Sequence, residues 1–166
     1  TKKKFDHNGD IAKRGVINDL TLNQALDNFE IRSNQKKLSF DINDFSSGFV
    51  RGLELDDGAA TITEFTARII ATELLSFLSE IKDKFCRVLV CGGGRKNFYL
   101  IERIKNMTPK NLDIQTIDNY GLDGDYIESQ AFAYLAIRSF LNLPISFPDT
   151  TGCKKPNTGG VVAKNF

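Results

Sequence analysis

Several residue types that support common chemistries are scarce in this chain. His7 is the only histidine among 166 residues, and there is no tryptophan. A Ser/His catalytic triad or a histidine-based zinc site is therefore excluded as an interpretation. No hydrophobic run approaches the length that spans a bilayer, and no signal-peptide pattern opens the chain. The formal net charge of +1 gives no electrostatic reason to expect nucleic acid or an anionic membrane as a partner.

The three cysteines, Cys86, Cys91 and Cys153, form an odd count without metal-type spacing. Two of them lie in an apolar run, where cysteine behaves as a small buried hydrophobic residue. A reduced, cytoplasmic setting is the expectation.

The most informative segment is an apolar run that leads into three glycines. Cys86-Arg-Val-Leu-Val-Cys91 precedes Gly92, Gly93 and Gly94, and an amphipathic segment from Asn97 to Ile104 follows. This order predicts a buried strand, a tight turn and a helix, whose N-terminal N–H groups face the turn and suit a phosphate-bearing ligand. No standard phosphate-binding fingerprint is satisfied, so a tight turn without a ligand is an equal alternative.

The remaining patterns predict an α/β order. Periodic apolar residues predict a loose helix over 10–29, broken near Thr21, and a long helix over about 57–84. A short strand is predicted at 112–117, a helix buried on most sides at 126–141, and an edge strand at 159–162. We expect one structural unit, with a helical and irregular segment at 1–56 packed on an α/β nucleotide-binding domain at 57–166.

Two glycine loops follow strands, at 92–94 and 121–124, so both are expected at one rim of the sheet. Glu128 lies just past the second loop. With Asp125 as N-cap it would form a capping box; alternatively, it accepts a hydrogen bond from a substrate hydroxyl. Asn97 is the predicted N-cap of its helix. Arg95 and Lys96 either neutralise phosphate charge or are solvated surface charges at the start of the helix.

Four segments together resemble one family. Leu89–Gly94 followed by Asn97 resembles the C-G-G-G-x-x-N adenosine-side motif of anhydro-N-acetylmuramic acid kinases. The segment 121–136 is similar to their G-x-x-G-D-x-x-E-A-x-A-F-A-x-L-A helix start, and 59–67 is similar to their A-T-L-T-x-x-T-A helix. The tail from Leu143 to Gly160 matches their endings.

The resemblance implies a fold and an activity. The fold would be the C-terminal, ribonuclease-H-like half of a sugar-kinase/Hsp70/actin-type structure, with helices packed on a small mixed sheet. The family uses ATP and Mg²⁺ to convert 1,6-anhydro-N-acetylmuramic acid to N-acetylmuramic acid 6-phosphate in cell-wall sugar recycling. Gly92, Gly93, Gly94 and Asn97 would belong to the adenosine side, and Glu128 would face the sugar.

The resemblance also implies partners outside this chain. It covers only the C-terminal half of such an enzyme, so the catalytic residues are expected upstream of Thr1, in a missing N-terminal domain. The opening Thr1-Lys-Lys-Lys4, without Met, is interpreted as an interior cut. The fragment alone is expected to be inactive, and a homodimer is among the arrangements left open.

One stretch departs from the family pattern, and two other interpretations stay open. Where the family commonly reads K-S-L-D-R-x-D-F, this chain has Leu38 and Ile42 in place of the lysine and arginine, which puts an anion contact there in doubt. The first alternative is a truncated remnant that folds and self-associates without tight ligand binding. The second is an unrelated dinucleotide binder, with Asp113 or Asp118 near the ribose-binding interval.

Overall fold

The computed structural model describes residues 5–35, 45–81 and 85–163, and for 31–35 it describes the backbone. The chain divides into two compact units, Thr1–Thr116 and Ile117–Phe166, and each is described by itself. The division into a helical and irregular segment at 1–56 and an α/β domain at 57–166 stays a prediction. Within the described residues, no helix combines the length and the apolar character that crossing a membrane would take.

Among the described residues, the first unit contains three α-helices and two strands, and the second contains two α-helices. In chain order they are α1 (Asp19–Gln35), α2 (Leu55–Glu80), β1 (Cys86–Val90), α3 (Phe98–Met107), β2 (Leu112–Thr116), α4 (Ile127–Phe140) and α5 (Pro148–Thr151). Short 3-10 turns occupy the intervening His7–Gly9, Ala12–Arg14, Ser47–Val50, Gly93–Lys96 and Ile117–Tyr120.

Helix α1 begins at a side-chain cap rather than continuing from residue 10. Asn18 Oδ1 accepts a hydrogen bond from the Thr21 N–H at 3.0 Å, and the Asn18 carbonyl accepts from the Leu22 N–H. The predicted break near Thr21 is therefore wrong, because Thr21 lies inside the first turn of a helix that starts at Asp19. Two 3-10 turns take the place of the predicted helix before this point.

Helix α2 confirms the long helix predicted for 57–84, with bounds at Leu55 and Glu80. The first turn of α2 is acidic, and it also binds the chain before α1. Asp56 accepts from Arg14 Nε at 3.0 Å, and Asp57 Oδ1 accepts from the Val16 N–H at 2.8 Å. The last part of the predicted range, 82–84, lies outside the described residues.

Strands β1 and β2 pair in parallel, with Cys86 opposite Leu112 and Val90 opposite Thr116. Helix α3 connects them, which is the strand–helix–strand order predicted from the sequence. The sheet was expected to be mixed, but the strands of the described residues form a parallel pair. Its buried face packs against α2 and α3 in one apolar cluster, whose buried members are Ala67, Ile104, Leu112 and Ile114.

A second cluster joins α1 to α2 through Leu22, Ala25 and Phe65. The Phe49 ring lies 5.1 Å from the Phe65 ring, between centroids. The Phe49 side chain therefore holds the irregular segment before α2 against the core.

In the second unit, the prediction that α4 is buried on most sides is wrong. None of its residues is buried, and Phe132 and Phe140 are 64% and 71% exposed. This unit spans about 50 residues around one long helix, and its described residues form no second layer that would cover an apolar circumference.

The predicted edge strand at 159–162 is also absent from the described structure. The tail instead forms one antiparallel bridge between Ser146 and Asn157. It is held to α4 by Arg138 Nε, which donates to the Pro144 carbonyl at 2.7 Å, and by a hydrogen bond from Ser139 Oγ to the Gly159 carbonyl.

Candidate functional site

The glycine loop lies directly after β1 and directly before α3. Strand β1 ends at Val90, Gly93–Lys96 forms a 3-10 turn, and α3 begins at Phe98. This is the carboxyl end of a parallel strand and the N-terminal end of a helix. Both positions favour the binding of phosphate-bearing ligands.

The three glycines combine an unusual backbone with open space. Gly92 has φ 76° and ψ 179°, a conformation that is essentially restricted to glycine. A Cβ placed on Gly92, Gly93 or Gly94 would meet no atom within 4 Å. Glycine is therefore required at position 92 by the backbone, whereas at 93 and 94 its absent side chain leaves a surface that a ligand can approach.

Asn97 caps α3, as the sequence predicted. Its Oδ1 accepts a hydrogen bond from the Leu100 N–H at 2.9 Å, and its own N–H donates to the Gly94 carbonyl at 3.0 Å. Asn97 therefore ties the glycine loop to the first turn of the helix. Because the cap uses Oδ1, a ligand contact from this side chain would come from the Nδ2 amide group.

Of the two roles considered for Arg95 from the sequence, the solvated surface charge is wrong, and the phosphate-neutralising role stays a prediction. Arg95 is 5% exposed, which excludes a solvated surface charge, and its Nη1 donates to the Gly92 carbonyl at 3.0 Å. Lys96, its neighbour, is exposed.

Gly9 packs against the side chain of Asn97, and this contact was not predicted from the sequence. It is buried with φ 79°, and a Cβ there would overlap Asn97 Oδ1 and lie 2.6 Å from Tyr99 Cβ. The available signal was the Asn8-Gly9 dipeptide, a strong turn marker. The turn is held by Asp6, whose carboxylate accepts from the Ile11 and Ala12 N–H groups at 2.8 and 3.0 Å.

Glu64 is the second residue that sequence reasoning missed. It is 2% exposed and accepts hydrogen bonds from Arg103 Nε at 2.7 Å and Arg68 Nε at 3.1 Å. Burial acts to raise the pKa of Glu64, but the hydrogen bonds from Arg103 and then Arg68 outweigh it, so the pKa lies below its ordinary value of 4.5. The Glu64–Arg68 spacing of four was the only sequence signal.

Glu128 lies in the second unit, in the first turn of α4, and is exposed. The capping box with Asp125 is wrong, because the N-cap residue is Tyr126 and its side chain makes no cap hydrogen bond. The structure therefore brings Gly92, Gly93, Gly94 and Asn97 together in the first unit. The expectation that the second glycine loop and Glu128 share their rim stays a prediction.

Metal-ligating side chains do not gather in the described residues. No group of three or more His, Cys, Asp or Glu could hold an ion there. Cys86, Cys91 and Cys153 are free thiols. Cys86 is half-buried, but Cys91 is exposed at the start of the glycine loop, which corrects its assignment as a buried residue.

Comparison with known proteins gives one consistent match. The sequence profile of the family described as anhydro-N-acetylmuramic acid kinase matches residues 1–165. The chain belongs to this family. A Pelagibacter ubique member of the family is 52% identical over 166 residues, and a Zymomonas mobilis member is 40% identical over 156 residues. Both are named anhydro-N-acetylmuramic acid kinase.

The match covers the chain and only part of each family member. It takes in 100% of this chain and 44% of the Pelagibacter protein, and 94% of this chain and 41% of the Zymomonas protein. The matched portion is the C-terminal part of these relatives. The chain thus spans less than half the length of the family members that it resembles.

Proposed function

We propose that this chain is the C-terminal, adenosine-side part of an ATP-dependent kinase that converts 1,6-anhydro-N-acetylmuramic acid to N-acetylmuramic acid 6-phosphate. Gly92, Gly93, Gly94 and Asn97 form the nucleotide side of the site. Glu128 faces the sugar. The fold is the C-terminal half of a sugar-kinase/Hsp70/actin-type structure, and the protein works in the cytoplasm in cell-wall sugar recycling.

The open surface over Gly92, Gly93 and Gly94 is the observation that carries this proposal. Three consecutive residues without side chains lie at the end of β1, and α3 begins four residues after the last glycine, with the Asn97 cap between. A backbone surface of this kind admits a flat or phosphate-bearing ligand closely. Membership of a kinase family makes ATP the ligand whose adenosine would lie there.

The nucleotide is assigned to the glycine loop, and its Mg²⁺ is assigned to no residue of this chain. Mg²⁺ in kinase sites is held by one or two carboxylates together with the phosphates of the nucleotide. No group of three or more His, Cys, Asp or Glu that could hold an ion lies among the described residues, and we assign no Mg²⁺ ligand there. The metal ligands and the group that activates the attacking water belong to the N-terminal part that the relatives carry.

The site is tested by titrating the 166-residue chain with ATP and following the amide resonances by NMR. One side of a cleft supplies part of the contacts, so we expect a Kd in the high-micromolar to millimolar range, about −4 to −6 kcal/mol. Gly93→Val should abolish the binding and keep the fold, because a Cβ at Gly93 meets no protein atom. Asn23→Val, on an exposed position of α1, is the matched control.

Equal ATP titrations of the Gly93→Val variant and the wild-type chain would contradict the site. The chain alone should also form no product from ATP and the anhydro sugar, because phosphoryl transfer needs groups on both sides of the phosphates. Product above background would contradict the assignment of catalysis to the N-terminal part.

A second candidate is a non-catalytic remnant that self-associates. The exposed apolar residues of the second unit favour it, since Ile137, Phe140, Leu141, Val161 and Val162 line one apolar groove with Ala136. Analytical ultracentrifugation, which measures the oligomeric state, and the ATP titration together distinguish the two functions. A dimer whose ATP titration shows no response would support the remnant, and a monomer that binds ATP would exclude it.

A further inference from the structure

Arg95 is a buried cation inside the glycine loop. The residue is 5% exposed, although it directly follows three glycines whose own surroundings are open. A guanidinium keeps its charge in proteins, and burying a charge is unfavourable unless hydrogen bonds compensate. A buried arginine in a loop of small residues therefore points to a structural task within the loop.

One partner of Arg95 is the carbonyl group of Gly92. The Gly92 carbonyl accepts a hydrogen bond from Arg95 Nη1 at 3.0 Å and another from the Arg95 backbone N–H at 3.3 Å. The side chain thus folds back onto the same oxygen that closes the 3-10 turn. Both bonds fix the direction of the Gly92 carbonyl.

The direction of that carbonyl sets the direction of the next N–H group. The peptide between Gly92 and Gly93 is planar and trans, so its N–H points opposite to its carbonyl. With the carbonyl turned toward Arg95, the Gly93 N–H is turned away from it. Gly92 has φ 76° and ψ 179°, and without a side chain the peptide would otherwise rotate easily.

We propose that Arg95 is a positioning residue that holds the Gly92–Gly93 peptide in the orientation that binds an adenine nucleotide. This rests on the proposed function of the loop. Arg95 acts through the backbone and does not contact the nucleotide. It differs in this from a phosphate-binding arginine, which must present its guanidinium to the ligand.

The test compares Arg95→Met and Arg95→Lys with Arg87→Met. Arg87 is an exposed arginine of β1 that pairs with Asp113 at 2.8 Å, so its removal controls for the loss of a paired arginine in the same unit. Three quantities are measured on each folded 166-residue chain: the Gly93 and Gly94 amide resonances without ligand, the Kd for ATP, and the melting temperature.

We expect Arg95→Met to move both glycine amide resonances and to raise the Kd for ATP about tenfold or more. Arg95→Lys should raise it severalfold, because a single ammonium holds the carbonyl less firmly than a guanidinium. Arg87→Met should leave the resonances and the Kd unchanged. A change in melting temperature alone would indicate a structural role and overturn the proposal.

Unchanged glycine resonances and unchanged Kd in Arg95→Met would overturn it as well. If Arg95→Met does not fold, Arg95→Lys decides, and values equal to those of the wild-type chain would overturn the proposal. A wild-type chain that binds no ATP would refute the function proposed for the loop. The resonances of the unliganded variants would still report whether Arg95 orients the peptide.

Discussion

Arg103 of α3 donates from Nε to Oε2 of Glu64 on α2 at 2.7 Å, and this pair joins the helix that follows the glycine loop to the long helix beneath it. Glu64 is almost fully buried, whereas the side chain of Arg103 is 30% exposed. Arg68 completes the network from the next turn of α2. The position of α3, and with it the loop, therefore depends on a charged contact as well as on apolar packing.

Replacing Glu64 by Gln should destabilise the chain by about 1–3 kcal/mol at pH 7, because two charge-assisted hydrogen bonds lose their ionised acceptor. Partial exposure of both arginines keeps the loss below that of a fully buried pair. Urea unfolding measures it. Glu73→Gln, an exposed change on the same helix, is the control and should be close to neutral.

The contribution of Glu64 should also depend on pH in a defined direction. Its pKa is lowered in the folded chain, so its stabilisation is complete above the ordinary value of 4.5 and is lost as the pH falls through the lower folded value. The stability gap between the wild-type chain and Glu64→Gln should therefore shrink below about pH 4.5. A gap that stays constant between pH 7 and pH 3 would contradict this.

Gly9→Ala should destabilise the chain more than Gly52→Ala. Both glycines have positive φ, 79° and 95°, so each alanine carries a backbone penalty of about 1–2 kcal/mol. Only at Gly9 would the added Cβ also overlap Asn97 and Tyr99, which adds about 1–3 kcal/mol of overpacking. Equal unfolding free energies for the two variants would show that Gly9 does not press on Asn97.

The strand–loop–helix–strand unit was predictable because each part carries a local signal. The apolar run gives β1, the Asn97 side chain gives the start of α3, and the alternation after Pro109 gives β2. These signals lie within a few residues of the element that they specify. Nearby residues therefore determine where these strands and this helix begin and end.

What could not be predicted depends on contacts distant in sequence. Gly9 meets Asn97 about ninety residues away, and Glu64 meets Arg103 across 39 residues. Neither contact produces a periodic pattern in the sequence from which it could be predicted. The prediction that α4 is buried was wrong for a related reason. An apolar pattern shows which side chains of a helix favour burial, but it does not show whether other elements of the unit pack against them.

Substitutions at Asn97 should separate its cap from its proposed contact with the nucleotide. Asn97→Ala removes the acceptor for the Leu100 N–H and should cost about 1 kcal/mol of stability. Asn97→Asp keeps an Oδ1 acceptor and should retain stability, but it replaces the Nδ2 donor by a negative charge. We expect Asn97→Asp to bind ATP at least tenfold more weakly than the wild-type chain. An Asp variant with unchanged Kd would limit Asn97 to capping α3.

The last prediction concerns Glu128, for which the structure removes the competing role as a member of a capping box. Tyr126 occupies the N-cap position, and within the described residues the side chain of Glu128 makes no hydrogen bond or ion pair. Glu128→Gln should therefore change stability by no more than the loss of a favourable charge at a helix N-terminus, about 0.3–1 kcal/mol.

If Glu128 binds the sugar, the same change should be costly to catalysis. Loss of one charge-assisted hydrogen bond, about 1.5–3 kcal/mol, lowers kcat/KM by roughly 10- to 150-fold. The measurement uses a protein of the relatives' full length that carries this chain as its C-terminal part, with Glu102→Gln, an exposed change on α3, as the control. A kcat/KM that matches the control would remove Glu128 from the sugar side and leave it a solvated charge at the start of α4.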